Sequence, residues 1–237
     1  MVICVAGPIA AGKNFVCSIL EERGFFCLDA DQEIHKIIGD KQTEILSRFT
    51  QIAASRGINL RSADGSLDRR ALGKLLFKDR TLLAEQEKIL YPEFVARVQA
   101  LIDANKEASQ AQEGGVTEIA GKPKTARGSV QPIAVDQPAE NESKPKTARG
   151  LAINAALLYK TPSLLRQCKK IIYVDAPLLV RAWRIRRRDR LPLTQIIRRI
   201  KSQKGLLQEY ERFAADYGIE MVRVRNWGRG VCAPSSL

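Results

Sequence analysis

The stretch VICVAGPIAAGKN (Val2–Asn14) decides the fold of this chain. Its first five residues form a short apolar run that is typical of a buried strand, and a loop bounded by two glycines follows directly. From Asn14 the apolar residues recur at helical spacing, and Gly24 ends that pattern. A strand, a glycine-bounded loop and Lys13 at the start of a helix match the first seven positions of the phosphate-binding pattern G-x-x-x-x-G-K-[ST].

The chemistry of this loop predicts that it binds ATP. Glycines let the backbone curl around phosphates, backbone N–H groups and the helix N-terminus face the negative charge, and Lys13 reaches the β and γ groups. The eighth position holds Asn14 instead of a hydroxyl residue, and an amide oxygen can take a hydration position around Mg²⁺, so Asn14 is the candidate metal ligand. The predicted ATP-binding residues of this segment are Gly7, Pro8, Ile9, Ala10, Ala11, Gly12, Lys13, Asn14 and Phe15.

Two aspartates follow the second predicted strand, Phe25–Leu28. Open α/β sheets bind their ligands at the carboxyl ends of the strands, so Asp29 and Asp31 are candidates for the same site if the first two strands are neighbours. A carboxylate there can accept a proton from an attacking hydroxyl, as phosphoryl transfer requires. An aspartate before a helix can also be only an N-cap.

The basic residues are concentrated in the second half of the chain. Residues 1–105 carry equal numbers of acidic and basic side chains, so the net charge of +13 arises entirely from residues 106–237. Ten basic residues lie within Arg181–Lys204, where Arg184 and Arg188 share one helix face. This segment is interpreted as a lid over the phosphates, a solvated helix or a nucleic-acid surface. Because Trp183 is its only aromatic residue, we do not expect nucleic acid as a partner.

The remaining pattern alternates strands with helices. This predicts an α/β fold, an open parallel sheet of about five strands with helices on both faces, plus a helical substrate and lid region. Helices are predicted over 32–56, 68–77, 79–105 (with Pro92 kinking or breaking it), 178–189, 192–203 and 205–217, and further strands over 151–158, 170–176 and 220–225.

Residues 106–150 differ from the rest of the chain. They are rich in Gly, Pro, Ser, Gln, Glu and Ala, and the heptapeptide KPKTARG occurs twice, at Lys122–Gly128 and Lys144–Gly150. Such a composition predicts a disordered insertion. We therefore expect one domain over 1–237, a P-loop core of 1–105 and 151–237 interrupted by this insertion.

The composition excludes several classes of protein. No uncharged run reaches the ~18 residues that a membrane helix needs, so no membrane association is expected. The five cysteines (Cys4, Cys17, Cys27, Cys168 and Cys232) are odd in number and lack a C-x-x-C spacing, which favours reduced thiols and a cytoplasmic location over disulfides or zinc.

In the order and spacing of these segments, the chain resembles the dephospho-coenzyme A kinase family over nearly all of its length outside 106–150. The phosphate-binding loop is followed by the DAD element Asp29–Asp31, then by DGSLDRRALGKLLF (Asp64–Phe77) and Leu90-Tyr91-Pro92. The segments Val174–Asp189 and RIKSQ (Arg199–Gln203) are similar to the two sides of the family's lid.

The resemblance implies a P-loop kinase that transfers phosphate from ATP, with Mg²⁺, to the ribose 3′-hydroxyl of dephospho-coenzyme A, its small-molecule partner. It implies that Asp31 is the general base and that Lys13 and Arg188 are catalytic. It also implies that Arg184 contacts ATP, and that Asp29, Asp31, Arg69 and Tyr91 bind the acceptor.

The chain departs from the family pattern at three positions: Asn14 replaces Ser or Thr, Tyr91 replaces His, and Lys160 stands at the usual acid. Two alternatives therefore remain open at this stage. One is a kinase for another small hydroxyl or monophosphate acceptor. The other is a catalytically weakened nucleotide-binding protein, or a polyanion-binding protein that uses the basic half and the KPKTARG repeats.

Overall fold

A computed structural model shows an α/β fold built on one mixed sheet, and it describes residues 1–77, 79–113, 149–227 and 231–232. The strands are β1 Val2–Ala6, β2 Phe25–Asp29, β3 Gly150–Asn154, β4 Lys170–Asp175, β5 Glu220–Asn226 and β6 Val231–Cys232. The helices are α1 Lys13–Glu22, α2 Ala30–Asp40, α3 Gln42–Ser55, α4 Arg69–Leu76, α5 Arg80–Glu113, α6 Pro162–Leu165, α7 Leu178–Asp189, α8 Leu193–Lys201 and α9 Leu206–Tyr217, with a 3₁₀ turn at Leu158–Lys160.

The sheet order is β2-β3-β1-β4-β5-β6, in which the first five strands are parallel. The prediction of a parallel sheet of about five strands is confirmed, and β6 adds a short antiparallel edge that the sequence pattern did not indicate. Strands β1 and β2 are not neighbours, because β3 lies between them, but their carboxyl ends lie at the same edge of the sheet. Residues on the two sides of 106–150 therefore share one sheet.

Both faces of the sheet are buried, as a parallel sheet requires. Alternate residues of β1 enter different clusters: Cys4 packs towards α2, α3, α5 and α9, whereas Ile3 and Val5 pack towards α1. A third, smaller cluster joins Ile185 of α7 and Ile196 of α8 to Ile9 of the phosphate-binding loop. The basic helices are thus attached to the loop through an apolar contact.

Several helices and strands begin or end at residues other than those predicted from the sequence. The helix expected over 32–56 is divided into α2 and α3 at Lys41, and the strand expected over 151–158 ends at Asn154. Helix α5 continues through Pro92 and extends to Glu113. Buried side chains on both sides of the proline, including Leu90 and Phe94, hold the helix in place despite the missing backbone donor.

The predicted insertion begins later than expected, because 106–113 belong to α5. Residues 114–148 lie outside the described residues, and so do the first KPKTARG repeat and most of the second. The proposed disorder of this segment stays a prediction. No described helix is both long enough and apolar enough to cross a membrane.

Candidate active site

A cavity of about 1270 Å³ opens at the carboxyl ends of β1, β2 and β3. The cavity is lined by the phosphate-binding loop, the first turns of α2, one face of α5, the segment that follows β3 and one side of α7, together with Gln203 and Asn226. Its polar and charged lining residues include Lys13, Asn14, Asp29, Asp31, His35, Gln86, Glu87, Tyr91, Asn154, Arg184, Arg187, Arg188, Gln203 and Asn226. The position matches the place where open parallel sheets bind ligands.

The loop conformation depends on its two outer glycines. Gly7 and Gly12 have φ values of +144° and +100°. A Cβ atom at Gly7 would lie 2.1 Å from the backbone oxygen of Val174, and one at Gly12 would lie 2.1 Å from the Asn226 side chain. The neighbouring strands therefore press on the loop so closely that only glycine fits at either position.

Lys13 is the first residue of α1 and curls back over the loop. Its Nζ donates a hydrogen bond to the Gly7 carbonyl oxygen over 3.1 Å. Burial lowers the pKa of Lys13, while the negative charges of Asp31 and Asp29 act in the opposite direction. A buried cation in a loop of this shape is well placed to hold phosphate, since bound phosphate would favour its charged form.

Asn14 is fixed by its neighbour on β3. The amide of Asn154 donates to Asn14 Oδ1 over 3.0 Å, which holds that oxygen at the cavity wall. A carbonyl-type oxygen has a second lone pair, so it can accept this bond and still ligate a cation. Among the described residues, no group of three or more His, Cys, Asp and Glu side chains is arranged to hold a metal ion.

The two aspartates after β2 have different roles. Asp29 is the N-cap of α2: one carboxylate oxygen accepts from the backbone N–H groups of Asp31 and Gln32, over 2.9 and 3.2 Å. Asp31 lies two residues further along the chain, is exposed and lines the cavity. Among the described residues, its carboxylate accepts no hydrogen bond. The capping interpretation therefore applies to Asp29, and Asp31 is the carboxylate available for chemistry.

Two arginines of α7 donate hydrogen bonds to the phosphate-binding loop. Arg184 Nη1 donates to the carbonyl oxygens of Ala10 and Ala11, over 3.0 and 3.1 Å, and its Nη2 donates to Asn226 Oδ1 over 3.0 Å. Arg181 Nε donates to the Ile9 carbonyl oxygen over 3.0 Å. Burial lowers the pKa of Arg181. These bonds hold the loop carbonyls away from the position where phosphate binds.

The side chain of Gln203, just after α8, also binds the phosphate-binding loop. The Ile9 N–H donates to Gln203 Oε1 over 2.7 Å, so both backbone polar groups of Ile9 are held by the basic segment. The loop is therefore hydrogen-bonded to α7 and to the residue that follows α8, and it is connected to β5 through Arg184.

Asp189 joins α7 to α8. It accepts from Arg188 over 2.7 and 3.2 Å and from Arg199 over 3.2 Å, which connects the end of α7 to α8. The hydrogen bond to Asp189 raises the pKa of Arg188, and the same bond lowers the pKa of Asp189. Arg188 lines the cavity and is largely exposed, so it has room to turn towards a bound phosphate.

The structure brings most of the predicted residues together. Those that line the cavity are Ile9, Ala10, Gly12, Lys13, Asn14, Phe15, Asp29, Asp31, Tyr91, Arg184 and Arg188. Gly7, Pro8 and Ala11 shape the loop without lining the cavity, and Ala11 is fully buried. Arg69 is the exposed first residue of α4 and does not line the cavity.

Three amide side chains were missed in the sequence. Asn154 ends β3, Asn226 ends β5, and Gln203 follows α8. Asn154 could have been recognised as a site residue, because it is the single polar residue in an apolar run. Gln203 lies inside the RIKSQ segment. The role of Asn226 depends on a contact across the sheet that the sequence does not indicate.

Comparison with known proteins gives a consistent answer. A family model described as dephospho-CoA kinase matches residues 1–114. A dephospho-CoA kinase of Treponema pallidum (strain Nichols) is 34% identical over 203 residues, which cover 86% of this chain and 78% of the relative. The chain belongs to the dephospho-CoA kinase family.

Further relatives extend the match along the chain. A dephospho-CoA kinase of Treponema denticola is 32% identical over 216 residues, which cover 91% of this chain and 79% of that protein. Among solved structures, the crystal structure of TT1252 from Thermus thermophilus has a TM-score of 0.62 and 21% identity, and the match covers 97% of this chain and 90% of that one. The structural likeness supports the fold, and the sequence matches support the family.

Proposed function

We propose that this protein transfers the γ-phosphoryl group of ATP to the ribose 3′-hydroxyl of dephospho-CoA, with Asp31 as the general base. Membership of a kinase family makes the protein an ATP-dependent transferase. The observation that supports the base assignment is a carboxylate on the cavity wall that accepts no hydrogen bond from a described residue, in the same cavity as Lys13.

The acceptor hydroxyl must lose a proton as its oxygen attacks the γ-phosphorus. Asp31 takes that proton, while Asp29 caps α2 and keeps the first turn of that helix, and with it Asp31, at the cavity edge. The loop N–H groups and Lys13 hold the ATP phosphates, and Arg188 turns from the lid towards the charge that spreads over the transferred group.

Mg²⁺ belongs to the same proposal. The residue that would hold it is Asn14, whose amide oxygen is already oriented by Asn154, and the remaining ligands would come from phosphates and water. When bound, Mg²⁺ neutralises charge on the β and γ phosphates.

The described cysteines Cys4, Cys17, Cys27 and Cys168 are unpaired thiols, which supports a cytoplasmic location for the reaction.

The test is ADP release from Mg-ATP, with and without dephospho-CoA, by the wild type and two variants. Wild type should release ADP only with the acceptor. Asp31→Asn should lower kcat by about 10²–10⁴-fold, the usual contribution of a general base, and leave the KM for ATP nearly unchanged.

Asp40→Asn is the matched control, since it makes the same change at the far end of α2, away from the cavity. Unchanged turnover in Asp31→Asn would exclude that residue as the base. Wild-type turnover with a different hydroxyl acceptor, and none with dephospho-CoA, would overturn the substrate assignment.

A further inference from the structure

A tryptophan lies on the wall of the cavity, outside the groups that transfer phosphate. Trp183 is in the middle of α7, and its side chain lines the cavity although 59% of the residue is exposed. It belongs to none of the three apolar clusters of the fold. The exposed leucines of the same helix, Leu178 and Leu179, do not line the cavity. Trp183 therefore gives α7 a large apolar surface inside the cavity.

The indole ring is accompanied by a cation. Arg187 is four residues further along α7, on the same helix face, and its guanidinium carbon lies 5.5 Å from the centroid of the Trp183 ring. Arg187 also lines the cavity. A guanidinium over an aromatic ring is attracted to the negative charge of the ring face. This contact orients the ring, and the exposed part of the ring can still receive a second planar group.

The ring lies beside the part of α7 that binds the phosphate-binding loop. Arg184, the next residue, donates hydrogen bonds to two carbonyl oxygens of the loop and to Asn226 at the end of β5. Ile185 is fully buried and packs in the same apolar cluster as Ile9 of the loop. Because successive helical residues are rotated by about 100°, Trp183 and Ile185 flank Arg184 on opposite sides. The loop contacts therefore fix the helix and leave the side that carries the ring uncovered.

A bound nucleoside triphosphate needs such a surface, because its base lies beyond its phosphates. The loop and Lys13 hold the β and γ phosphates, so the sugar and the base extend out of the loop. A planar base stacks readily on an aromatic side chain, whatever its hydrogen-bonding groups. Among the described residues of the cavity wall, Phe15 is the other exposed aromatic one, and it lies in the first turn of α1, where the phosphates bind. Trp183 is therefore the aromatic ring that is available to the base.

We propose that Trp183 is a stacking platform for the purine base of ATP, and that Arg187 is a positioning residue that holds the indole ring at the cavity wall. Trp183 contacts the nucleotide, whereas Arg187 acts through Trp183. The ring adds affinity for the base without touching the phosphates. This inference rests on the proposed function in that ATP occupies the loop, and it identifies the part of the cavity that distinguishes ATP from a bare phosphate chain.

The two tryptophans of the chain make stacking directly observable. Trp183 and Trp227 are 59% and 61% exposed, and Trp227 does not line the cavity. In Trp227→Phe, Trp183 is the single source of indole fluorescence. ATP should quench that fluorescence saturably, whereas inorganic tripolyphosphate, which fills the loop without a base, should change it little. Trp183→Phe keeps Trp227 as its reporter and should show no saturable quenching by ATP.

Steady-state kinetics provide the second measurement. Trp183→Leu removes the ring and keeps an apolar side chain, so the KM for ATP should rise about 10-fold, which is the loss of one stacked base. The KM for dephospho-CoA and the inhibition constant of tripolyphosphate should each change less than about 2-fold, because neither involves the base of ATP. Trp183→Phe keeps an aromatic ring, so its KM for ATP should stay within about 3-fold of wild type. Arg187→Met removes the cation and should raise that KM about 3-fold.

Trp227→Leu is the matched control, since it makes the same change at a tryptophan of nearly equal exposure outside the cavity. It should leave both KM values unchanged. Equal quenching of Trp183 by ATP and by tripolyphosphate, or equal KM changes in Trp183→Leu and Trp227→Leu, would overturn the platform. Quenching by dephospho-CoA with none by ATP would also overturn it, because the ring would then serve the acceptor.

Failure of this inference and failure of the proposed function are distinguishable, because quenching by ATP requires no turnover. Normal quenching without acceptor-dependent ADP release would overturn the proposed acceptor and support the platform. Acceptor-dependent ADP release with no quenching of Trp183 by ATP would do the reverse.

Discussion

The two sides of the cavity are built in different ways. The phosphate side is made of backbone: two glycines pressed against neighbouring strands, with carbonyl and N–H groups tied to Arg181, Arg184 and Gln203. The opposite side is made of side chains, among them Glu87 and Tyr91 on α5, and Glu87 is held by a hydrogen bond from Lys160. A loop of backbone groups suits a chemical group that all nucleoside triphosphates share, whereas a wall of side chains can distinguish one acceptor from another.

The largest effect should come from removing a glycine on the phosphate side. In Gly7→Ala, the new Cβ would meet the backbone oxygen of Val174, which cannot move without distorting β4. Strain at a positive φ and this overlap together should lower the free energy of unfolding by about 3 kcal/mol, as measured in urea.

Gly57→Ala is the control, because Gly57 also has a positive φ of +67° but nothing within 4 Å of an added Cβ. Gly57→Ala should lower the free energy of unfolding by about 1 kcal/mol, from the backbone strain alone. Equal losses in the two variants would show that close approach to Val174 does not shape the loop.

The next effect separates the two sides of the cavity kinetically. Arg184→Met deletes the hydrogen bonds to Ala10, Ala11 and Asn226, so the loop should lose its preformed shape. We expect the KM for ATP to rise about 10-fold or more and the KM for dephospho-CoA to change less than about 2-fold, measured by steady-state ADP release.

Arg186→Met serves as the comparison variant, since Arg186 is exposed on the same helix and does not line the cavity. It should leave both KM values unchanged. If Arg184→Met raised the two KM values equally, the two sides would not be independent.

The smallest effect concerns Asp29, which the sequence placed among the acceptor-binding residues and the structure shows as the cap of α2. Asp29→Ala should lower the free energy of unfolding by about 1 kcal/mol, the usual contribution of an N-cap. Asp29→Asn should stay within about 0.5 kcal/mol of wild type, because asparagine caps equally well. Both losses can be read from urea unfolding at neutral pH.

The same pair of variants sharpens the comparison between the two aspartates. Asp29→Asn should keep the KM for dephospho-CoA, since the cap still holds the first turn of α2 in place. A large rise in that KM for Asp29→Asn, without loss of stability, would instead mean that the Asp29 carboxylate contacts the acceptor.

Much of the fold could be predicted from local patterns. The strand–loop–helix unit at Val2–Glu22, the helix α7 and the parallel sheet follow from apolar periodicity and glycine positions, because these reflect short-range backbone preferences. The errors arose where distant contacts decide. Strand β3 enters between β1 and β2 from the far side of 106–150, and α5 continues through Pro92 because buried neighbours support it.

The residues of the candidate site also fall into those that local sequence patterns predict and those that depend on distant contacts. The loop residues and Asp31 were predicted because their chemistry depends on a motif and on strand ends, and all of them except Gly7, Pro8 and Ala11 line the cavity. Arg69 was predicted from a resemblance and lies elsewhere. Asn154, Gln203 and Asn226 were missed because an amide side chain acquires a role only from the partner that it meets in the folded chain.

The sequence by itself determined that this chain has a nucleotide-binding loop, a parallel α/β core and the family to which it belongs, because each depends on residues that are close together in the chain. Only the tertiary structure decided which aspartate caps and which is available, which arginines grip the loop, and that Lys160 compensates Glu87. The cap is a local contact whose geometry only the structure shows, whereas the other two properties arise from residues far apart in sequence, whose distances are set when the sheet assembles.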